Sequence, residues 1–200
     1  MIKLYHAPRT RSVRIHWLLE ELGIPYALEM VDFVPPSTPF AQRTPSGKFP
    51  AIEDGDVTMF ESGAILEYIL ERYGKGRLAP PPGTAARAPY LQWVHFAEAT
   101  AFPPMGNMAW HMMFRQDADQ LPGAMADYRG WALAALDVLE RGLAGRDYLL
   151  GGELSGADIM MGYTIMCAKW FGLLDERYPN LTRYLARLEE RPAFRATVLG

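Results

Sequence analysis

"GKFPAIEDGDVTMFES", residues 47–62, holds the turn on which the fold reading rests. Asp54-Gly55 sits between two short apolar runs, Ala51–Glu53 and Val57–Phe60. An Asp-Gly pair flanked in this way signals a tight β-hairpin, because glycine takes the positive φ that such turns need. Ser62, which closes the stretch, is placed to cap a helix whose apolar positions Ile65, Tyr68, Ile69 and Tyr73 recur at helical spacing, with Gly74 as its stop. The unit is strand, strand, helix.

Toward the N-terminus, Ile2–His6 reads as a short buried strand. From Thr10 or Arg11 the period becomes helical, with Val13, Trp17, Leu18 and Leu22 on one face and Gly23 after them. Pro25–Phe33 reads as a second strand. Strand, helix, strand implies a parallel pair joined by a right-handed crossover. The proline-rich VPPSTPF, residues 34–40, predicts an irregular excursion before the hairpin.

Toward the C-terminus, LAPPPGTAARA (78–88) carries Pro80, Pro81 and Pro82 and predicts an extended linker. Segments 84–117, 122–143, 155–171 and 178–190 then read as helices, the first kinked or broken at Pro103-Pro104. The third opens on Ser155-Gly156-Ala157-Asp158, an approximate capping box with Asp in place of Glu or Gln. The expected organisation is an α/β domain over 1–78, a linker over 79–86 and an all-helical domain over 87–200. The chain's 200 residues suffice for one large core or two small ones.

The net charge of −3 gives no electrostatic case for a nucleic-acid partner. A single cysteine, Cys167, excludes an internal disulfide and cysteine-based metal sites, and suits a reducing cytoplasm. No apolar run approaches a membrane span, and MIKLYHAP lacks the apolar core of a signal peptide. The expectation is a soluble cytoplasmic protein with no metal, membrane or nucleic-acid partner.

Three places hold candidate chemistry. LYHAPRTRSVR, residues 4–14, sets Thr10 among Arg9, Arg11 and Arg14 where a strand turns into a helix, a setting for an anion. Thr10 is either such a donor or a helix cap. Tyr5 and His6 read as strand end, and Ser12 as a hydroxyl turned back into the first helical turn. In KFPAI, Pro50 is either an edge-strand proline or a cis-proline that turns the Phe49 backbone outward to a peptide-like ligand. In ESGAI, Ser62 is either a cap or, with Glu61, one half of a site for a head group carrying both an ammonium and a carboxylate.

Strand then APRTRSVR, GKFPAI, ESGAILEYI, a proline-rich linker and a helical half with LSGADIMMGY: in this order the motifs resemble the cytosolic glutathione transferase family over essentially the whole chain. The resemblance implies a thioredoxin-like N-terminal domain that binds glutathione, an all-helical C-terminal domain that completes a second-substrate pocket, and a homodimer. It gives Glu61 and Ser62 the γ-glutamyl end of glutathione, the Phe49 backbone its cysteinyl part, Pro50 the cis-proline and Lys48 the approach to the glycine carboxylate. Asp158 matches a residue that caps a core helix.

The opening stretch departs from the family pattern. The serine of the theta- and zeta-like classes falls near Ala7 and the cysteine of the beta-like class near Arg11, so neither side chain can activate a thiol. The register also lacks the zeta class's serine-rich signature, against maleylacetoacetate isomerase. Thr10 is then the best-placed hydroxyl, as a hydrogen-bond donor to the glutathione thiolate, with Arg9 and Arg11 adding positive potential. A drop of about two units from a thiol pKa near 8.5 is worth about 2.7 kcal/mol, within reach of one charge-assisted bond and a helix end. Met105, Met108, His111 and Met112 follow the Pro103-Pro104 break. They are either core or an adaptable wall for an apolar electrophile. The implied activity is attack of glutathione thiolate on a small apolar electrophile, by conjugation or in a peroxidase or reductase reaction. The alternative is a ligand-binding or interaction protein of the same fold without catalysis.

Overall fold

A computed structural model describes residues 1–32 and 47–199. They fall into two compact units, Met1–Pro82 with Glu189–Gly200, and Gly83–Leu188. The expected excursion over 34–40 and the end of the second strand at Phe33 lie outside the described residues.

The first unit runs β1 (Ile2–His6), α1 (Ser12–Leu22), β2 (Tyr26–Met30), β3 (Ala51–Asp54), β4 (Val57–Phe60) and α2 (Ser62–Tyr73). The sheet order is β2-β1-β3-β4, with β1 parallel to β2 and the other two pairs antiparallel. This is the mixed four-stranded, thioredoxin-like sheet of the expected βαβ–ββα order. β1 is central, and Ile2, Leu4 and Tyr5 are buried.

The hairpin sits one residue from where the Asp-Gly pair predicts it. Asp54 pairs with Val57, so the two loop residues are Gly55, at φ 61°, and Asp56. Asp54 belongs to the strand because its carboxylate has work inside. It accepts Tyr68 Oη at 2.9 Å and Tyr73 Oη at 2.5 Å, tying the hairpin to α2. The Tyr73 bond, helped by Tyr68 and Arg72, holds the Asp54 carboxyl below its ordinary range.

α1 is buried on more than the predicted stripe: Ile15 and Leu19 are sealed as well as Val13, Trp17, Leu18 and Leu22. Trp17 is covered by a C-terminal strap absent from the sequence reading, α8 (Pro192–Phe194) with a wide turn over Arg195–Leu199. Phe194 meets Trp17 edge-on, ring centroids 4.8 Å apart, and the Arg191 guanidinium pairs with Glu21.

The second unit is helical throughout: α3 (Arg87–Phe96), α4 (Phe102–Ala109), α5 (Pro122–Gly142), α6 (Gly156–Trp170) and α7 (Pro179–Glu189). The chain does not break at Pro103-Pro104. Those prolines occupy the first turn of α4, where a missing N–H does least harm, and the irregularity moves upstream into a π-type turn over Ala97–Ala101. α6 is buried on every side from Gly156 to Ala168. The buried Asp158 carboxylate starts it, accepting Ser155 N at 2.8 Å, Ser155 Oγ at 2.7 Å, Leu149 N at 2.9 Å and Tyr184 Oη at 2.9 Å. Burial pushes its pKa up, and those four donors pull it back.

Candidate functional site

The strand register gathers the candidate residues of the first unit. Tyr5 lies opposite Ala51, and Ala51 opposite Phe60. The loop leaving β1 (7–11), the residues entering β3 (48–50) and those leaving β4 (61–62) therefore emerge at one end of the sheet. Both α1 and α2 begin there. A buried bond joins the two helix starts, from Arg14 Nη1 to Ser62 Oγ at 3.0 Å.

The loop after β1 is a tight turn. Thr10 N donates to Ala7 O at 3.3 Å, Pro8 fills the second position and Arg9 the third, at φ 59°. That is the pattern of a type II turn, whose third position favours glycine. Thr10 is half-buried, and its hydroxyl donates to Ala7 O at 2.7 Å while lying 2.8 Å from Ser12 Oγ. Ser12 Oγ is in turn 2.8 Å from His6 Nδ1 and accepts Ala7 N at 3.2 Å. Burial, with the neighbouring His16 adding to it, lowers the His6 pKa to about 4, so the imidazole is neutral at physiological pH.

The Phe49–Pro50 peptide bond is cis. Phe49 is buried with Tyr5, Ala7 and Ala51, which fixes the strand entry against the end of β1. Lys48 and Arg9 are exposed and Arg11 is half-buried. Glu61 is exposed and holds φ 74°. A left-handed non-glycine residue stores strain, and such residues cluster where a ligand needs a fixed backbone. Ser62 is the first residue of α2 rather than its cap; it is buried at 2% exposure.

In the second unit the four predicted pocket residues divide. Met105 and Met108 are core, at 1% and 5% exposure, whereas Met112 is 49% exposed. His111 stands between: its Nδ1 is 2.8 Å from Asp117 Oδ1, and its ring stacks on Tyr128 with centroids 5.9 Å apart. The His111 bond, with Arg115, holds the Asp117 carboxyl below its usual range. Trp110, Met113 and Phe114 are exposed beside them.

Sequence reasoning missed the buried polar layer behind these residues. Arg14 is fully buried, and His6 and Ser12 are sealed behind Thr10. The available signal was a polar or charged residue on an otherwise apolar stripe: Arg14 stands one turn before Trp17 and Leu18.

Comparison with known proteins agrees with this architecture. Residues 1–71 match the family model "Glutathione S-transferase, N-terminal domain" and residues 122–187 the "Glutathione S-transferase, C-terminal domain". Glutathione S-transferase 3 of Schizosaccharomyces pombe is 32% identical over 98% of this chain and 86% of its own length. The disulfide-bond oxidoreductase YfcG of Escherichia coli is 32% identical over 96% of this chain and 92% of its own. The crystal structure of the glutathione transferase URE2P6 from Phanerochaete chrysosporium, in complex with oxidized glutathione, superposes with TM-score 0.85 at 29% identity, covering 98% of this chain and 94% of that one. Both halves of the chain match one family in the order the fold requires, and at full length, so the protein belongs to the glutathione S-transferase family.

Proposed function

We propose that the protein binds glutathione at the end of the sheet where the three loops converge, holds it as thiolate and directs it at a small apolar electrophile. The register Tyr5–Ala51–Phe60 carries this reading, because it gathers a hydroxyl turn, a cis-proline strand entry and a strained acidic residue. In the proposed arrangement Glu61 takes the ammonium and Ser62 the carboxylate of the γ-glutamyl end. The Phe49 backbone, presented by Pro50, pairs with the cysteinyl part, and Lys48 faces the glycine carboxylate. Thr10 donates to the thiolate, with Arg9 and Arg11 adding positive potential. Of the residues proposed for the second substrate, Met112 is exposed, His111 is half-buried, and Met105 and Met108 are core.

Two relatives bear on the reaction: one is named a disulfide-bond oxidoreductase, and the other holds oxidized glutathione. Cys167, the chain's only cysteine, is buried in α6. Disulfide exchange in this protein therefore runs between the sulfur of bound glutathione and the substrate. The thiolate attacks one sulfur of the disulfide, a mixed disulfide forms, and the other sulfur leaves as thiolate. Reduction of a small disulfide joins conjugation within the proposed activity. By the same family likeness we propose a cytoplasmic homodimer.

A second reading, glutathione binding without catalysis, is favoured by one observation: the Thr10 proton is directed at Ala7 O. The ultraviolet difference spectrum of bound glutathione separates the two. A thiolate band at neutral pH is expected. Binding without that band overturns the enzymatic reading.

A further inference from the structure

We propose that His6 and Ser12 form a buried donor relay that sets how strongly Thr10 donates to the bound thiolate. The proposal rests on the reading of Thr10 given above. His6 and Ser12 are positioning residues here; Thr10 alone meets the sulfur.

The relay follows from counting protons. Thr10 and Ser12 carry one hydroxyl proton each. Around them stand the acceptors Ala7 O, 2.7 Å from Thr10 Oγ1 and 3.1 Å from Ser12 Oγ, and each other's oxygen at 2.8 Å. His6 Nδ1 lies 2.8 Å from Ser12 Oγ. When Thr10 turns its proton from Ala7 O to a thiolate, its oxygen is open to a donor in addition to Ser12 N, 3.3 Å away. Ser12 is the hydroxyl in reach. Ser12 in turn accepts from His6 when Nδ1 carries the proton. The bonds then all run one way: His6 Nδ1–H to Ser12 Oγ, Ser12 Oγ–H to Thr10 Oγ1, Thr10 Oγ1–H to sulfur. Hydrogen bonds aligned in this way polarise one another, and most so away from water. Ser12 is fully buried and His6 is 6% exposed.

The opposite direction, with His6 as a base drawing the thiol proton through both hydroxyls, fails on energetics. A thiol that ionises near 8.5 keeps its proton against an imidazole at about 4. The nearest titratable neighbour reinforces the neutral state of His6: the His16 ring is edge-on to it at 5.1 Å. Tyr26 spends its only proton on Glu20 Oε1 at 2.6 Å, so His16 Nε2 must donate to Tyr26 Oη at 2.7 Å. Burial also keeps His16 neutral, its pKa lowered despite Glu20. The thiol proton leaves to solvent, and the relay stabilises the anion left behind.

The test is a titration of the bound glutathione thiol, followed by its thiolate absorbance, in the full-length protein. Ser12→Ala and His6→Leu each remove a link, and should lower the thiolate fraction at neutral pH about twofold to fivefold. His6→Asn keeps an N–H where Nδ1 stood and should titrate like the parent. Adding Ser12→Ala to Thr10→Val should change nothing further, because the relay acts only through Thr10. If Thr10→Val raises the thiol pKa while Ser12→Ala does not, the relay is wrong and the role of Thr10 stands. If Thr10→Val itself leaves the pKa unchanged, the reading of Thr10 fails and the relay falls with it. Should His6→Leu not fold, Ser12→Ala against His6→Asn decides the matter.

Discussion

Ser62 serves two ends at once. Its hydroxyl accepts from the buried Arg14 guanidinium as well as standing at the start of α2. Ser62→Ala should therefore weaken glutathione binding and also destabilise the fold, each by about 1–3 kcal/mol, the cost of stranding a buried polar partner. Calorimetric titration and urea unfolding measure the two separately; Glu61→Gln, at an exposed position, should affect only the first. His6 gives a second prediction. Its pKa is about 4 in the folded state against 6.5 unfolded, so below 6.5 the unfolded chain binds a proton the folded one refuses. Stability should fall as pH drops from 6.5 toward 4, by about 2–3 kcal/mol at pH 4.5 from this residue alone. The effect should shrink in His6→Asn. Thr10, Glu61 and Ser62 could be proposed from sequence because each stands in a short local motif, and of the two readings of Pro50 the bond is cis. Arg14 and the His6–Ser12 pair were not legible there. Their partners are 48 and 6 residues away in sequence, and only the fold brings them together.

At the scale of elements, the sequence pattern named every strand and every long helix among the described residues, since burial of one face leaves a repeat that residue types reveal. The misplacements have a common cause in tertiary contacts. Asp54 was drawn out of the hairpin loop by two tyrosines of α2, leaving Gly55 as the residue that must hold φ 61°. Gly55→Ala should accordingly cost about 1–2 kcal/mol in thermal or urea unfolding, since a Cβ there meets no neighbour and only the backbone conformation opposes it. The π-type turn before Pro103 escaped notice because a proline predicts a lost hydrogen bond and not where the helix absorbs the loss. The C-terminal strap was missed because so short a segment shows no repeat. Its hold on α1 is nonetheless large: Phe194 is fully buried, and Phe194→Ala should cost about 3–5 kcal/mol. Arg191→Ala should cost less, as the loss of a partly exposed ion pair with Glu21. Urea unfolding of both variants checks the order.

At the scale of the whole molecule, the proposed homodimer gives the plainest measurement: sedimentation at micromolar concentration should return twice the chain mass, and a monomer alone would count against it. The reaction partner of the thiolate was not legible in the sequence, because methionines read alike whether they fill a core or face a ligand, and the structure divides Met105 and Met108 from Met112. One feature of the architecture reaches into how the protein is made. The first unit is closed by residues from Glu189 onward, with all of Gly83–Leu188 between. The sheet and α1 are translated before the helical unit, yet the strap that packs on Trp17 emerges only after it. The nascent chain thus carries an uncovered Trp17 while the helical unit is being made, a natural hold for a chaperone. The part that is begun first is sealed only after the helical unit has followed it.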